Sequence, residues 1–201
     1  MIALIDYGVG NLRSVYKALT AVGADVMLTS DRDQIRAARK VVLPGVGAFG
    51  DGMEGIRQRG LEVTVREVSH RGTPLLGICL GMQLLFDVSD ELGEHKGFGF
   101  LTGRVERFSN PSLKIPQTGW NRIYPEQNSP LFRNFEPGSY AYFNHSYYCR
   151  PEQGGNVLAS TEYGIRYASV TGRDNIYGVQ FHPEKSQAVG LLILRNFVEC
   201  C

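Results

Sequence analysis

No two cysteines in this 201-residue sequence stand at a metal-ligand spacing. The four are Cys79, Cys149, Cys200 and Cys201; they form no CxxC, and two adjacent thiols at the end do not make a disulfide framework. Reduced thiols in a reducing compartment are the expected state, with at most one of them chemically special. Charge of one sign is scarce as well. Lys and Arg number 21 against 20 Asp and Glu, a net charge of +1, and no long run of one sign occurs. A nucleic-acid binder needs a basic stripe to hold phosphates, so that class is set aside. No apolar run approaches membrane-spanning length, and the opening MIALIDYGVG carries neither a basic region nor a cleavage site. The expectation is a cytoplasmic protein with neither nucleic acid nor membrane as a partner. Linkers, repeats and low-complexity tracts are missing too, so residues 1–201 read as one domain.

What is present suits a globular α/β chain. Hydrophobic residues make up 43% and charged residues 20%, enough to build a core without staples. The first part alternates strands and helices. IALIDY, ADVMLT, KVVLPG and TPLLGIC read as strands. Asn11 is placed to cap a helix with Leu12, Val15, Tyr16, Leu19 and Val22 on its apolar face, closed by Gly23. A short helix is expected at DRDQIRAA, a broken helical stretch from about Met53 to His70, and helix from Leu80 to Asp87. This order predicts a mostly parallel central sheet flanked by helices on both faces. The second part predicts an antiparallel β extension built from FGFLTGRVERF, GWNRIY, YAYFNHSYYC, NVLAST, RYASVTGR and NIYGVQF. A last helix is expected from about Ser186.

Three segments carry chemistry. Gly77-Ile78-Cys79-Leu80-Gly81 has the form of a nucleophile elbow, in which a strand turns sharply into a helix. The glycines make room for the turn, and the backbone N–H of Leu80 faces the same space as the nucleophile. The helix start favours thiolate over thiol. The plain alternative is a buried structural cysteine in a βα turn. In GVQFHPEKS, Pro183 keeps His182 extended, so His182 and Glu184 project to one side. The carboxylate can then hold one ring nitrogen while the other faces a nucleophile. An exposed turn histidine is the alternative there. In LPGVGAFGDGM, Gly45-Val46-Gly47 follows a strand and can bring backbone N–H groups close to a substrate. It is not a phosphate loop, because no Gly-Lys-Ser/Thr follows; an ordinary βα loop is the alternative. His70 and His95 have no supporting pattern and read as surface residues. Cys149 reads as core, and so by default does Trp120; His145 is ambiguous.

GICLGMQLLF, LPGVGAFGDGM and GVQFHPEKS, in this order, resemble the class I (triad) glutamine amidotransferases. DYGVGNLRSV, GWN and YFNHSYY bring the resemblance closest to the glutaminase subunits that feed a cyclase in histidine biosynthesis. The resemblance implies a flavodoxin-like fold and a nucleophile Cys79, with His182 as base and acid and Glu184 as its orienting carboxylate. It implies oxyanion donors at Val46 and Leu80, and a glutamine pocket at Gly47, Gln83, Glu91, Ser146 and Tyr147. Trp120, Asn121, Tyr142 and Lys185 match positions near the partner, a cyclase subunit with a (β/α)8 barrel in a heterodimer. No cofactor or metal is implied. PQTGWN departs from the family, which commonly has His-Met before the Gly, so partner contacts at Gln117 and Thr118 stay open. Two other readings remain: a glutaminase subunit for anthranilate or aminodeoxychorismate synthesis, and a non-catalytic binding subunit of the same fold.

Overall fold

The computed structural model describes residues 1–201. The first half lays down β1 (Ile2–Ile5), α1 (Leu12–Ala21), β2 (Val26–Thr29), α2 (Arg32–Ala37) and β3 (Lys40–Leu43). It continues with α3 (Phe49–Gln58), α4 (Leu61–His70), β4 (Leu75–Ile78), α5 (Leu80–Gln83) and β5 (Phe86–Ser89). The second half is β6 (His95–Lys96), β7 (Leu101–Arg107), β8 (Gln117–Pro125), β9 (Ser139–His145) and β10 (Tyr147–Pro151). It ends with β11 (Val157–Glu162), β12 (Arg166–Arg173), β13 (Ile176–Val179) and α6 (Gln187–Cys200).

One face of β1 and the opposite face go to different cores. Ala3 and Ile5 join the cluster under α2, α3 and α4, whereas Ile2 and Leu4 join the cluster under α1 and α6. A parallel strand buried on both faces has this pattern, and it explains why IALI is apolar throughout. The parallel part of the sheet runs β2-β1-β3-β4-β13. Beyond β13 the strands turn mostly antiparallel, with β12 pairing β13, β10 and β11, and with β8 joining β11 to β9. Because β3, β4 and β13 are parallel neighbours, their carboxyl ends share one edge of the sheet. All three chemical segments begin there. No helix is long and apolar enough to cross a membrane.

Several expectations need correction. The helix after Cys79 stops at Gln83, and Phe86–Ser89 is a strand beside β7 rather than a continuing helix. Leu84, Leu85 and Phe86 are wholly buried, and an apolar run buried on every side carries no helical period. The stretch expected from Met53 already starts at Phe49 and breaks at Gly60, whose φ of +64° suits glycine. YAYFNHSYYC is two strands parted at Ser146. Asn11 stands at the start of α1, but its side chain makes no capping hydrogen bond, and Tyr16 is exposed rather than part of the apolar face. Trp120 is 46% exposed and is not core. His95 is half-buried against Gly50 rather than free at the surface.

Candidate active site

Cys79 is the one residue between β4 and α5, and its backbone is forced into φ +54°, ψ −109°. Positive φ at a non-glycine residue is costly, and such strain concentrates where a side chain must be aimed. The flanking glycines are required by space. A Cβ on Gly77 would lie 2.5 Å from the Gly81 carbonyl oxygen, and one on Gly81 would overlap the Leu43 carbonyl of the next strand. The elbow is thus wedged against β3, and its amide is anchored by a 2.8 Å bond to the Val179 carbonyl of β13.

His182 arrives from the end of β13. It is extended at φ −95°, ψ 97° and only 2% exposed. Residues Pro183–Lys185 form a tight 3-10 turn, so it is this turn, not a continuing strand, that folds Glu184 back to its neighbour. His182 Nδ1 lies 2.9 Å from Glu184 Oε1, with both side chains buried. Burial opposes a charged ring, but the neighbouring Cys79 and Glu184 outweigh it and raise the pKa of His182 to about 9. At neutral pH the ring is therefore cationic beside the sulfur.

The sulfur opens on a cavity of about 250 Å³. Its lining includes Val46, Gly47, Cys79, Leu80, Gln83, Glu91, Ser146 and Tyr147, the whole set expected for the oxyanion and glutamine positions. Pro116, Asn144 and His145 also line it and were not foreseen. Gly45 is boxed in, since a Cβ there would meet the Tyr7 hydroxyl and the Leu80 side chain. Gly47, at φ +113°, has open space around it. Glu91 Oε2 accepts from the Phe49 N–H at 2.8 Å. Burial raises the Glu91 pKa, with Asp51 adding to the effect. His145 is driven the other way, to about 4, by burial first and by the nearby His182 charge. A larger open groove of about 480 Å³ elsewhere, between Arg150 and Arg166, includes neither Cys79 nor His182 in its lining.

A cysteine paired with a buried, carboxylate-held histidine can attack a carbonyl carbon and shuttle a proton to the leaving group. The family description "Glutamine amidotransferase class-I" matches residues 3–200. "Imidazole glycerol phosphate synthase subunit HisH" of Geobacillus kaustophilus (strain HTA426) is 50% identical over 203 residues, covering 98% of this chain and 96% of that protein. The Moorella thermoacetica (strain ATCC 39073 / JCM 9320) protein of the same name is 50% identical, covering 98% and 94%. The chain belongs to the HisH family of class-I glutamine amidotransferases. Solved structures agree on the fold. A "Crystal structure of glutamine amidotransferase" superposes with a TM-score of 0.77 at 20% identity, covering 99% of this chain and 98% of that one. A chain of "Structure of PurLQS from Thermotoga maritima" gives 0.78 at 19%, covering 98% and 96%.

Within this HisH-family chain, three of the four positions expected near a partner form one surface patch, with Trp120 and Lys185 exposed and Tyr142 half-buried. The Trp120 and Tyr142 rings meet edge-on at 6.1 Å, and Lys185 Nζ lies 5.7 Å from the Tyr142 ring centre. Asn121 is not in it. Strand alternation turns its side chain to the other face of β8, where its amide donates to the Glu162 carbonyl at 2.9 Å. Gln117 is buried and bonds Tyr167, whereas Thr118 is exposed and bonds Asn144.

Proposed function

We propose that this chain is the glutaminase subunit of an imidazole glycerol phosphate synthase, acting in histidine biosynthesis. It hydrolyses glutamine to glutamate and ammonia and hands the ammonia to a cyclase subunit. That partner, a (β/α)8 barrel in a cytoplasmic heterodimer, makes imidazole glycerol phosphate and aminoimidazole carboxamide ribotide. Half the residues identical to HisH proteins over nearly the full length supports this substrate and partner over the anthranilate and aminodeoxychorismate readings.

The observation that carries the chemistry is the buried line Cys79–His182–Glu184 at the mouth of a cavity. It also argues against a non-catalytic subunit. The Cys79 thiolate adds to the side-chain carbonyl carbon of glutamine. The Val46 and Leu80 N–H groups hold the resulting oxyanion; each such donor is worth roughly 10²–10³ in rate. His182 gives its proton to the departing nitrogen, and ammonia leaves a thioester on Cys79. A water then loses a proton to His182 as it attacks the thioester carbon. Collapse expels the thiolate and glutamate, and the imidazolium–thiolate pair is restored. Glu184 orients the ring and offsets its charge. Gln83, Ser146, Tyr147 and Gly47 shape the glutamine pocket, in which the Glu91 carboxylate suits the substrate's ammonium group.

The test is the complex with its cyclase. Cys79→Ala is expected to abolish glutamine-dependent synthesis and to leave synthesis from added ammonia intact. Loss of both in a complex that still assembles refutes separate sites.

A further inference from the structure

Gln180 follows β13 by one residue and is fully buried, yet neither the proposed mechanism nor the glutamine pocket uses it. Its Nε2 lies 3.7 Å from Cys79 Sγ, within range for an N–H donor to sulfur. An amide has a donor end and an acceptor end, so the contact matters only if the donor end faces the sulfur. The neighbours settle which end does. The Gln83 NH2 group has two hydrogens. One goes to the Tyr147 carbonyl at 3.1 Å, which also receives His145 Nδ1–H at 2.7 Å. The other goes to Gln180 Oε1 at 3.2 Å. With its oxygen held by Gln83, Gln180 has only its NH2 to offer Cys79. Turning either amide over would set like ends together in a buried site, which is expensive.

We propose that Gln180 is a further catalytic residue, a fixed N–H donor that stabilises the Cys79 thiolate, and that Gln83 is the positioning residue that orients it. The inference rests on the reading of Cys79 as nucleophile. The sulfur carries negative charge twice in the proposed cycle, as it attacks and as it leaves the second tetrahedral intermediate. The Gln180 N–H favours both states and does not change protonation. Of the other titratable groups that act on Cys79 electrostatically, His182, backed by Glu184, supplies positive charge. Tyr7 and Cys149 are both kept neutral by burial, so neither supplies charge.

The experiment is the pH profile of Cys79 alkylation by iodoacetamide, read on the Cys79 peptide by mass spectrometry so that Cys200 and Cys201 do not contribute. Gln180→Met keeps the size and removes the donor. Its alkylation midpoint is expected to rise by roughly one pH unit, the scale of a hydrogen bond to a charged group. In the complex, glutamine-dependent kcat should fall at least about tenfold with KM little changed, and ammonia-dependent synthesis should persist. Gln83→Met should move the midpoint the same way but less. If Gln180→Met does not assemble, Gln180→Asn, which withdraws the same amide from the sulfur, gives the readout. An unchanged midpoint in either Gln180 variant overturns the inference. Labelling of wild-type Cys79 by a glutamine-like diazoketone separates the two claims. If it fails, the nucleophile reading falls; if it succeeds while the midpoint stays, only the role of Gln180 falls.

Discussion

His182 holds its proton against burial only because two partners want it there. The Glu184 carboxylate is 2.9 Å from one ring nitrogen, and Cys79 is the other neighbour that favours the charged ring. The two partners do different work. Glu184 never exchanges a proton with substrate, and its second oxygen has no partner at all. Glu184→Gln should therefore lower glutamine-dependent kcat by less than His182→Ala, which removes general acid–base transfer worth on the order of 10²–10⁴. Steady-state kinetics at saturating cyclase decide this, and near-normal turnover in His182→Ala would rule out the triad. The raised pKa has a sign. The imidazolium's contribution to stability is complete below about 6.5, the ordinary histidine value, and disappears as pH rises through about 9. The acid that protonates departing ammonia is lost over the same upper range. The kcat/KM for glutamine should fall with an apparent pKa near 9, a value belonging to the coupled Cys79–His182 pair. In Glu184→Gln, with one of the two supports gone, that falling limb should move to lower pH.

At the scale of elements, the site is where three parallel strands end together, and the glycines keep those ends close. Gly81→Ala puts a methyl group onto the Leu43 carbonyl, a backbone atom that cannot swing aside. Overpacking of this kind costs roughly 1–3 kcal/mol or more. The variant should show a lower midpoint in urea, and reduced glutaminase activity because β3 carries the Pro44–Gly47 loop with it. An unchanged midpoint would mean that the elbow is not wedged as described. These glycines were legible in the sequence because a steric demand leaves a residue type behind. So was the His182–Glu184 pair, although the turn that joins them was read as extended chain. The end of α5 was not legible, because Leu84-Leu85-Phe86 is buried on every side and has no period to read. Gln180 stood in view inside GVQFHPEKS, but its role depends on partners 97 and 101 residues away. Asn121 was grouped with Trp120 by resemblance alone, whereas a strand sends adjacent side chains to opposite faces.

Across the whole molecule, the Trp120–Tyr142–Lys185 patch and His182 are joined by backbone. The His182 N–H donates to the Tyr142 carbonyl at 2.9 Å, and Ser186 Oγ accepts from the Tyr142 N–H while donating to the His182 carbonyl. If the cyclase of the proposed function seats on the patch, it bears directly on the segment that holds His182. The second point of leverage is the oxyanion loop. The Val46 N–H belongs to the Gly45–Val46 peptide, which turns about Gly45 ψ and Val46 φ; Val46 is 42% exposed and the space beside Gly47 is open, which leaves room on that side of the loop for the peptide to turn. Under the proposed function, one orientation of this peptide would point the Gly45 carbonyl at the developing oxyanion, and the other would point the Val46 N–H there. Partner and acceptor need only favour the second. Losing one donor costs about 3–4 kcal/mol of barrier, so the isolated chain should hydrolyse glutamine some 10²–10³ times more slowly than the acceptor-loaded complex. Glutamate release should be measured for the chain alone, with cyclase, and with cyclase plus an acceptor analogue. Equal rates in all three refute the coupling. Gly47→Pro sharpens the test, because its ring demands φ near −65° where the loop holds +113°. The variant should stay slow in every state, with ammonia-dependent synthesis by the partner unaffected.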